Sequence, residues 1–170
     1  IGGDNVEAGR EVARFLVRKL DGKGTVVEIT GLKDASPVIE RHRGFYEVMK
    51  NYPGIKVVTL ESNWKLERAQ ELMKQYLDKG GHADGVFGHS DLGAIGAFLE
   101  AERRGIDKQM LIVGIDGLPG EWEGVDRVKR GQFAASYVYP TQGEKIMELA
   151  MNILQGKHYK KDNVMRSFLA

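Results

Sequence analysis

The sequence predicts an α/β fold in which a doubly wound parallel sheet carries helices on both faces. Short apolar runs rich in β-branched residues alternate along the chain with longer amphipathic stretches. The short runs are continuously apolar rather than alternating, which is typical of parallel strands that are buried on both faces. The chain has 170 residues, of which 42% are hydrophobic, so it is long enough for one well-packed domain and short for two.

Strands are predicted in order along the chain at residues 25–30, 56–60, 85–87, 110–113 and 133–138, and a last one is expected at 163–169. Helical stretches are predicted between and after them, with apolar stripes within residues 6–20, 38–48, 66–77, 92–99, 121–130 and 146–154. This alternation of strand and helix is the pattern of a doubly wound sheet.

Three of the predicted helices carry a start signal. Asp4 and Glu7 have the spacing of a capping box before the first apolar stripe. Ser36 stands before a proline and is predicted to be the N-cap of the second helix. Thr141 and Glu144 repeat the capping-box spacing before the last helix.

Composition excludes several kinds of site and partner. The net charge is +1 and the basic residues form no dense block, so nothing points to nucleic acid or to an anionic membrane. The chain has no cysteine, which excludes disulfides, thiolate metal sites and cysteine nucleophiles. His42, His82 and His89 are not spaced as metal ligands, and the motifs of phosphate loops, dinucleotide-binding loops, serine hydrolases and zinc proteases are missing. We therefore expect no catalytic residue, no metal and no cofactor.

In an open parallel sheet, ligands bind beyond the carboxyl ends of the strands. This rule selects the segments that follow the predicted strands, at residues 31–34, 61–64, 88–91, 114–117 and 137–139. They supply aromatic rings, carboxylates and small polar groups. A sugar needs this combination, because its ring stacks on an aromatic face and its hydroxyls bond to polar groups. Ile115 and Tyr139 are counted among the candidate contacts.

Arg41 is the most informative single residue. It shares the apolar face of the second helix with Val38, Phe45 and Val48. It also lies near the positive end of the helix dipole, which disfavours a cation. A charge placed in this way needs either a ligand or an internal ion pair, and the sequence leaves both open.

Other candidate residues each have an ordinary structural alternative. Core filling is the alternative for Trp64, although it lies among polar residues in a loop rather than in an apolar stripe. Asp116 precedes a glycine and suits a turn as well as a ligand. Asp91 opens a helix, where capping is the favoured interpretation, and Ser90 beside it says little alone.

Residues 1–6 (IGGDNV) resemble a segment of the ribose- and galactose-type periplasmic sugar-binding proteins that marks the first crossing between their two lobes. The likeness runs over essentially the whole chain, through residues 28–31 (EITG), 40–45 (ERHRGF), 88–94 (GHSDLGA) and 113–117 (VGIDG). Each segment is weak alone, but their common order and spacing make the resemblance specific.

The resemblance implies roles for particular residues. Arg41 falls on the family's sugar-binding arginine, Asp116 on its hydroxyl-binding aspartate and Trp64 on its stacking aromatic. Ser90 takes a position often held by asparagine, and Leu32 that of an apolar wall residue.

The resemblance also implies a domain organisation. Residues 1–139 would form the second, C-terminal lobe, with Gly3, Asp4 and Pro140 at the hinge. The helical segment 140–160 would pack on a first lobe that lies outside this chain, and residues 161–170 would return through the hinge. We therefore expect residues 1–170 alone to bind sugar poorly.

One departure from the family points to a subtype. Residues 137–140 (YVYP) stand where the family usually has Ala-Gln before the proline, and the C-terminal part resembles the sensor domains of hybrid two-component histidine kinases. This implies a membrane-anchored periplasmic domain that senses a pentose or hexose. Its partners would be the sugar, its own N-terminal lobe and, as a further candidate, a second copy in a homodimer.

Three alternatives stay open. The chain also suits a soluble substrate-binding protein of a sugar ABC transporter, and the effector domain of LacI-type repressors shares the fold. A glycosidase with Asp91 and Asp116 as paired carboxylates is the enzymatic alternative. We expect a binding domain rather than an enzyme.

Overall fold

A computed structural model of the chain describes residues 2–170, so Ile1 of the predicted 1–139 lobe lies outside the description. The strands are β1 (Gly24–Thr30), β2 (Ile55–Glu61), β3 (Gly85–Gly88), β4 (Leu111–Asp116), β5 (Ala135–Val138) and β6 (Phe168–Leu169). They form one sheet in the order β2-β1-β3-β4-β5-β6. The first five strands pair in parallel, and β6 runs antiparallel to β5.

The helices are α1 (Asn5–Lys19), α2 (Ser36–Met49), α3 (Leu66–Asp78), α4 (Asp91–Arg103), α5 (Gly124–Lys129) and α6 (Gly143–Leu154). Buried side chains of α1 and α2 pack on one face of the sheet, and those of α3 and α4 pack on the other. Val26 and Val27 of β1 belong to opposite core clusters, because successive strand residues point to opposite faces. The predicted doubly wound sheet is confirmed.

The order of the strands also marks a position for a ligand. The connections run outward in both directions from β1 and β3, so the topological switch point lies between these two strands. In such sheets a crevice opens there, beyond the carboxyl ends of the strands.

The helix starts agree with the sequence analysis only in part. Asp4 caps α1, because its carboxylate accepts a 2.9 Å hydrogen bond from the backbone N–H of Glu7. The prediction for Ser36 is wrong: Ala35 is the N-cap and Ser36 is already helical. The proline that follows occupies the first turn, where its missing N–H costs nothing, so the helix can begin one residue earlier.

The last helix also begins differently from its prediction. Gln142 is the N-cap of α6 and makes no side-chain cap, so the capping box at Thr141 and Glu144 does not form. The predicted strand at 163–169 shortens to Phe168–Leu169, preceded by an isolated bridge between Gly2 and Val164.

Helix α6 differs from the other helices in how little of it is buried. Leu149 is 9% exposed and is its one buried residue. Ile146, Ile153 and Leu154 are exposed, Leu154 to 81%. The apolar face predicted for this segment therefore exists, and most of it lies open.

Candidate functional site

The carboxyl ends of the parallel strands bring several predicted residues together around Arg41. Its guanidinium carbon lies 5.0 Å from the centre of the Tyr139 ring and 6.0 Å from that of Trp64. Asp116 ends β4 beside them, and its charge acts on Arg41. Arg41 lies on α2, Asp116 ends β4, and Trp64 and Tyr139 follow β2 and β5, so only the sheet topology places them at one edge.

Arg41 is buried on α2 and is held by two neutral groups. Its Nε donates a 2.9 Å hydrogen bond to Oδ1 of Asn5, and a terminal nitrogen donates to the backbone carbonyl of His89. Among residues 2–170, no carboxylate lies at ion-pair distance from the guanidinium, so the internal salt bridge is not formed. Burial lowers the pKa of Arg41, and the charge of Asp116 opposes this shift. The guanidinium is thus a fixed cation without a counter-ion in contact.

Trp64 lies on a tight turn after β2 rather than in the core. Asn63 and Trp64 both have left-handed backbones, with φ of 55° and 65°. The indole ring covers Gly31 at the end of β1, where a Cβ would overlap it. The ring is only partly buried, and its centre lies 6.0 Å from the guanidinium carbon of Arg41.

Asp116 has an unusual backbone and an unusual pKa. Its φ is 137°, a region that few side-chain-bearing residues adopt. Burial and the negative charge of Asp91 raise the pKa of its carboxyl to about 6, while Arg41 opposes the shift. Its Oδ2 accepts a long hydrogen bond of 3.3 Å from the backbone N–H of Asp91. Most of its accepting capacity is therefore free for a ligand.

The helix that follows β3 is capped by Ser90 and not, as predicted, by Asp91. Ser90 is the N-cap of α4, and its Oγ accepts a 3.2 Å hydrogen bond from the N–H of Gly93. Asp91 is the first helical residue, and its carboxylate instead accepts hydrogen bonds from Gly117 and Ser136, both at 2.8 Å. The capping prediction for Asp91 failed because a neighbouring hydroxyl satisfied the helix terminus first.

Leu32 and Ile115, both predicted to contact the ligand, lie in different parts of the structure. Leu32 is 53% exposed just beyond β1, at the same edge as Arg41. The side chain of Ile115 is fully buried in the core beneath α1 and α2, so it is not brought to this edge and its predicted contact is not supported. Ile115 and Asp116 are adjacent in β4, so their side chains point to opposite faces of the sheet. Asp116 is the last residue of the strand and therefore lies at the carboxyl edge.

Two of the predicted hinge residues, Gly3 and Pro140, lie against one another and against Tyr139. The hydroxyl of Tyr139 donates a 3.1 Å hydrogen bond to the carbonyl of Gly3. A Cβ at Gly3 would overlap the Tyr139 ring and the ring of Pro140, so only glycine fits this close crossing. The N-terminal segment and the segment that follows β5 therefore meet beside Arg41.

A buried carboxylate that the sequence analysis did not single out lies below the site. Glu28 of β1 accepts hydrogen bonds of 3.0 Å from His42, 2.9 Å from Nε2 of His89 and 3.0 Å from Thr59. Burial opposes ionisation, but the two histidines outweigh it and lower the pKa of Glu28 to about 2. A glutamate inside an otherwise apolar strand was the signal in the sequence.

The chain matches the family described as "Periplasmic binding protein domain" over residues 1–158. It belongs to the periplasmic binding protein family. A curated relative, the xylitol-binding protein of Mycolicibacterium smegmatis, is 34% identical over 168 residues, which are 95% of this chain and 46% of that protein. The chain thus spans about half the length of this relative.

Solved structures of the family agree with the fold. The fructose-binding periplasmic domain of a hybrid two-component system matches with a TM-score of 0.96 and 38% identity, covering 100% of this chain and 57% of that one. A glucose-galactose binding protein from Geobacillus stearothermophilus matches with a TM-score of 0.89 and 29% identity, covering 99% and 60%. The chain has the fold of one lobe of a type 1 periplasmic binding protein. Within residues 2–170, none of the helices is both long enough and apolar enough to cross a membrane.

Proposed function

We propose that this chain is the C-terminal lobe of a two-lobed periplasmic receptor that holds a monosaccharide in the cleft between its lobes. The observation that carries the proposal is the convergence of a buried cation, a carboxylate and two aromatic rings at one edge of the sheet. Arg41 would donate to sugar hydroxyls, Asp116 would accept from them, and Trp64 would stack on the C–H face of the ring. Ser90, Leu32 and Tyr139 would complete this half of the cleft.

The exposed face of α6 supports a second lobe supplied by further residues of the parent protein. In this proposal residues 1–139 form the C-terminal lobe, and the helix within 140–160 packs on the first lobe. Residues 161–170 return through the hinge beside Gly3 and Pro140. Closure of the lobes about this hinge would bury the sugar.

We infer that the receptor is a sensor rather than a transport component. The hybrid two-component domain shares 38% identity over the entire chain and is named for binding fructose, so a hexose is our first candidate ligand. A transport receptor is the second candidate, because curated relatives include ribose import binding proteins at 26% identity. Both assignments place the domain in the periplasm and require no reaction at the sugar.

Titration calorimetry on the two-lobed protein with fructose, ribose, galactose and xylitol tests the proposal. We expect saturable binding of one sugar per protein, recovery of that sugar unchanged, and binding by residues 1–170 alone that is at least about 100-fold weaker, because half the contacts are missing. Absence of binding to any of a wide panel of sugars, or conversion of the sugar, would refute it. Sugar-dependent autophosphorylation of the full-length parent separates a sensor from a transport receptor.

A further inference from the structure

The carboxylate of Asp91 lies in a slot made by two glycines. Asp91 is 2% exposed, and a Cβ at either Gly114 of β4 or Gly124 of α5 would overlap its carboxylate. Neither glycine has a positive φ, so glycine is needed at both positions for space and not for backbone conformation. Two elements of the lobe are therefore shaped around one buried acid.

The hydrogen bonds of Asp91 reach the binding loop from two sides. Its Oδ2 accepts from the backbone N–H of Gly117, and its own N–H donates to Oδ2 of Asp116. Its Oδ1 accepts from Ser136, whose side chain is fully buried. The turn that these bonds hold contains two consecutive positive φ values, 137° at Asp116 and 61° at Gly117. Such a turn persists only where its surroundings fix it.

We propose that Asp91 is a positioning residue that holds the turn after β4 so that the carboxylate of Asp116 faces the sugar. The proposal rests on the proposed function for the identity of the ligand. Asp91 itself does not touch the sugar, because its two oxygens are occupied and it lies below the surface of the edge.

The charges around Asp116 make the positioning role of Asp91 testable through the titration of Asp116, which a purely stabilising role would not change. The charged groups acting on Asp116 are Asp91 from α4, Arg41 from α2 and Glu123 before α5. The charges of Asp91 and Glu123 raise the pKa of Asp116, and that of Arg41 lowers it. Removing only the charge of Asp91 should therefore shift the titration of Asp116 to lower pH.

Asp91→Asn and Asp91→Ala separate geometry from charge. Asparagine keeps the size of the side chain and an oxygen for the N–H of Gly117, whereas alanine leaves that N–H without its acceptor. Carbon-detected NMR on residues 1–170 can follow the Asp116 carboxyl through a pH titration, and hydrogen exchange can follow the Gly117 amide. Neither readout needs a sugar.

We expect both variants to lower the titration midpoint of Asp116, and only Asp91→Ala to accelerate exchange at Gly117, by about tenfold or more. In the two-lobed protein at pH 7.5, Asp91→Ala should weaken sugar binding by about tenfold, while Asp91→Asn should change it less than about threefold. Glu71→Gln, an exposed change on α3, is the control that should leave every readout unchanged.

An unchanged Asp116 midpoint in Asp91→Asn, together with an unchanged Gly117 exchange rate in Asp91→Ala, would overturn the proposal. If Asp91→Ala does not fold, Asp91→Asn and Ser136→Ala replace it in the test. An Asp116 titration midpoint in Asp91→Asn that equals the wild-type value would then count against the proposal. If the wild-type receptor binds no sugar, the proposed function fails, whereas the two NMR readouts still decide the role of Asp91.

Discussion

The guanidinium of Arg41 donates a hydrogen bond to the backbone carbonyl of His89 and so ties α2 to the segment that follows β3. Asn5 at the start of α1 accepts from the Nε of the same side chain. Both bonds are made to neutral groups, so they orient the guanidinium without neutralising it. The site therefore offers a cation whose position is fixed before any ligand arrives, which lowers the entropic cost of binding.

Arg41→Lys should weaken sugar binding by the two-lobed protein about 10- to 100-fold, the equivalent of about 1.5–3 kcal/mol for lost charged hydrogen bonds. A lysine keeps the charge but cannot bond to Asn5, to His89 and to a sugar with a planar fork. Calorimetry measures the loss. Arg43→Lys, on the exposed side of the same helix, is the matched control and should bind normally. Equal affinities of the two variants would argue against contact between Arg41 and the sugar.

The affinity for sugar should fall as the pH is lowered through about 6, the pKa of Asp116. An ionised carboxylate accepts from sugar hydroxyls at both oxygens, and protonation removes part of this capacity. If only the ionised form binds, the dissociation constant at pH 5 should be about tenfold higher than at pH 7. Calorimetry between pH 5 and pH 8 tests this, and a flat profile would contradict it.

Asp116→Asn should make the lobe more stable while it weakens sugar binding. The folded-state pKa of Asp116 is raised from 3.8 to about 6, so its ionisation opposes folding, and stability is lost as the pH rises through this range. At pH 7 the substitution should therefore raise the unfolding free energy by up to about 3 kcal/mol. Urea denaturation of residues 1–170 at pH 4 and pH 7 gives the comparison, because most of the gain should be lost at the lower pH.

Much of the fold, and the placement of several residues of the candidate site at one edge of the sheet, could be predicted because their signals are local or topological. The apolar runs at β1 to β5 identify parallel strands without knowledge of their partners. The rule that ligands bind at the carboxyl ends then selects segments containing Trp64, Ser90 and Asp116. Arg41 is informative for a similar reason, since a charge on the apolar face of a helix is visible from spacing alone.

Features that depend on contacts between distant residues could not be predicted. The slot around Asp91 requires Gly114, Gly124 and Ser136 to meet in space. The capping assignment of Asp91 failed for a related reason, because Ser90 competes for the same helix terminus, and only geometry decides which of the two caps it. The burial of Ile115 depends on which face of β4 it occupies, which a continuous apolar run does not reveal.

Gly31→Ala should weaken sugar binding through Trp64. A Cβ at this position would overlap the indole ring, so the ring must move away from the end of β1. We expect a loss of about 1–3 kcal/mol in stability from overpacking and a weaker affinity for sugar. Glu71→Gln, an exposed change on α3, is the control, which should leave affinity unchanged. Tryptophan fluorescence and calorimetry together report the displacement and its effect.

Glu28→Gln should reduce the acid sensitivity of the lobe. The folded-state pKa of Glu28 is lowered from 4.5 to about 2, so its stabilising effect is present above pH 4.5 and is lost as the pH falls towards 2. The substitution should cost about 3 kcal/mol at pH 7 and much less at pH 3. Urea denaturation across this range measures both values, with the exposed Glu71→Gln as control. Parallel curves for wild type and Glu28→Gln would show that the histidine contacts do not stabilise the ionised form.

Leu154→Ser tests whether the open face of α6 packs on a first lobe. Leu154 is 81% exposed here, so its replacement should change the unfolding free energy of residues 1–170 by less than about 0.5 kcal/mol. In the two-lobed protein the same change should cost about 1–2 kcal/mol, because a covered leucine loses apolar burial.

Leu149→Ala is the matched comparison, since Leu149 is 9% exposed and already packs within the lobe. It should cost about 2–3 kcal/mol in both forms of the protein. Chemical denaturation of the four variant proteins gives the result. If Leu154→Ser destabilises neither form, the face of α6 is not covered by the first lobe. If it destabilises both forms equally, Leu154 is used within this lobe, and the proposed packing of α6 is wrong in either case.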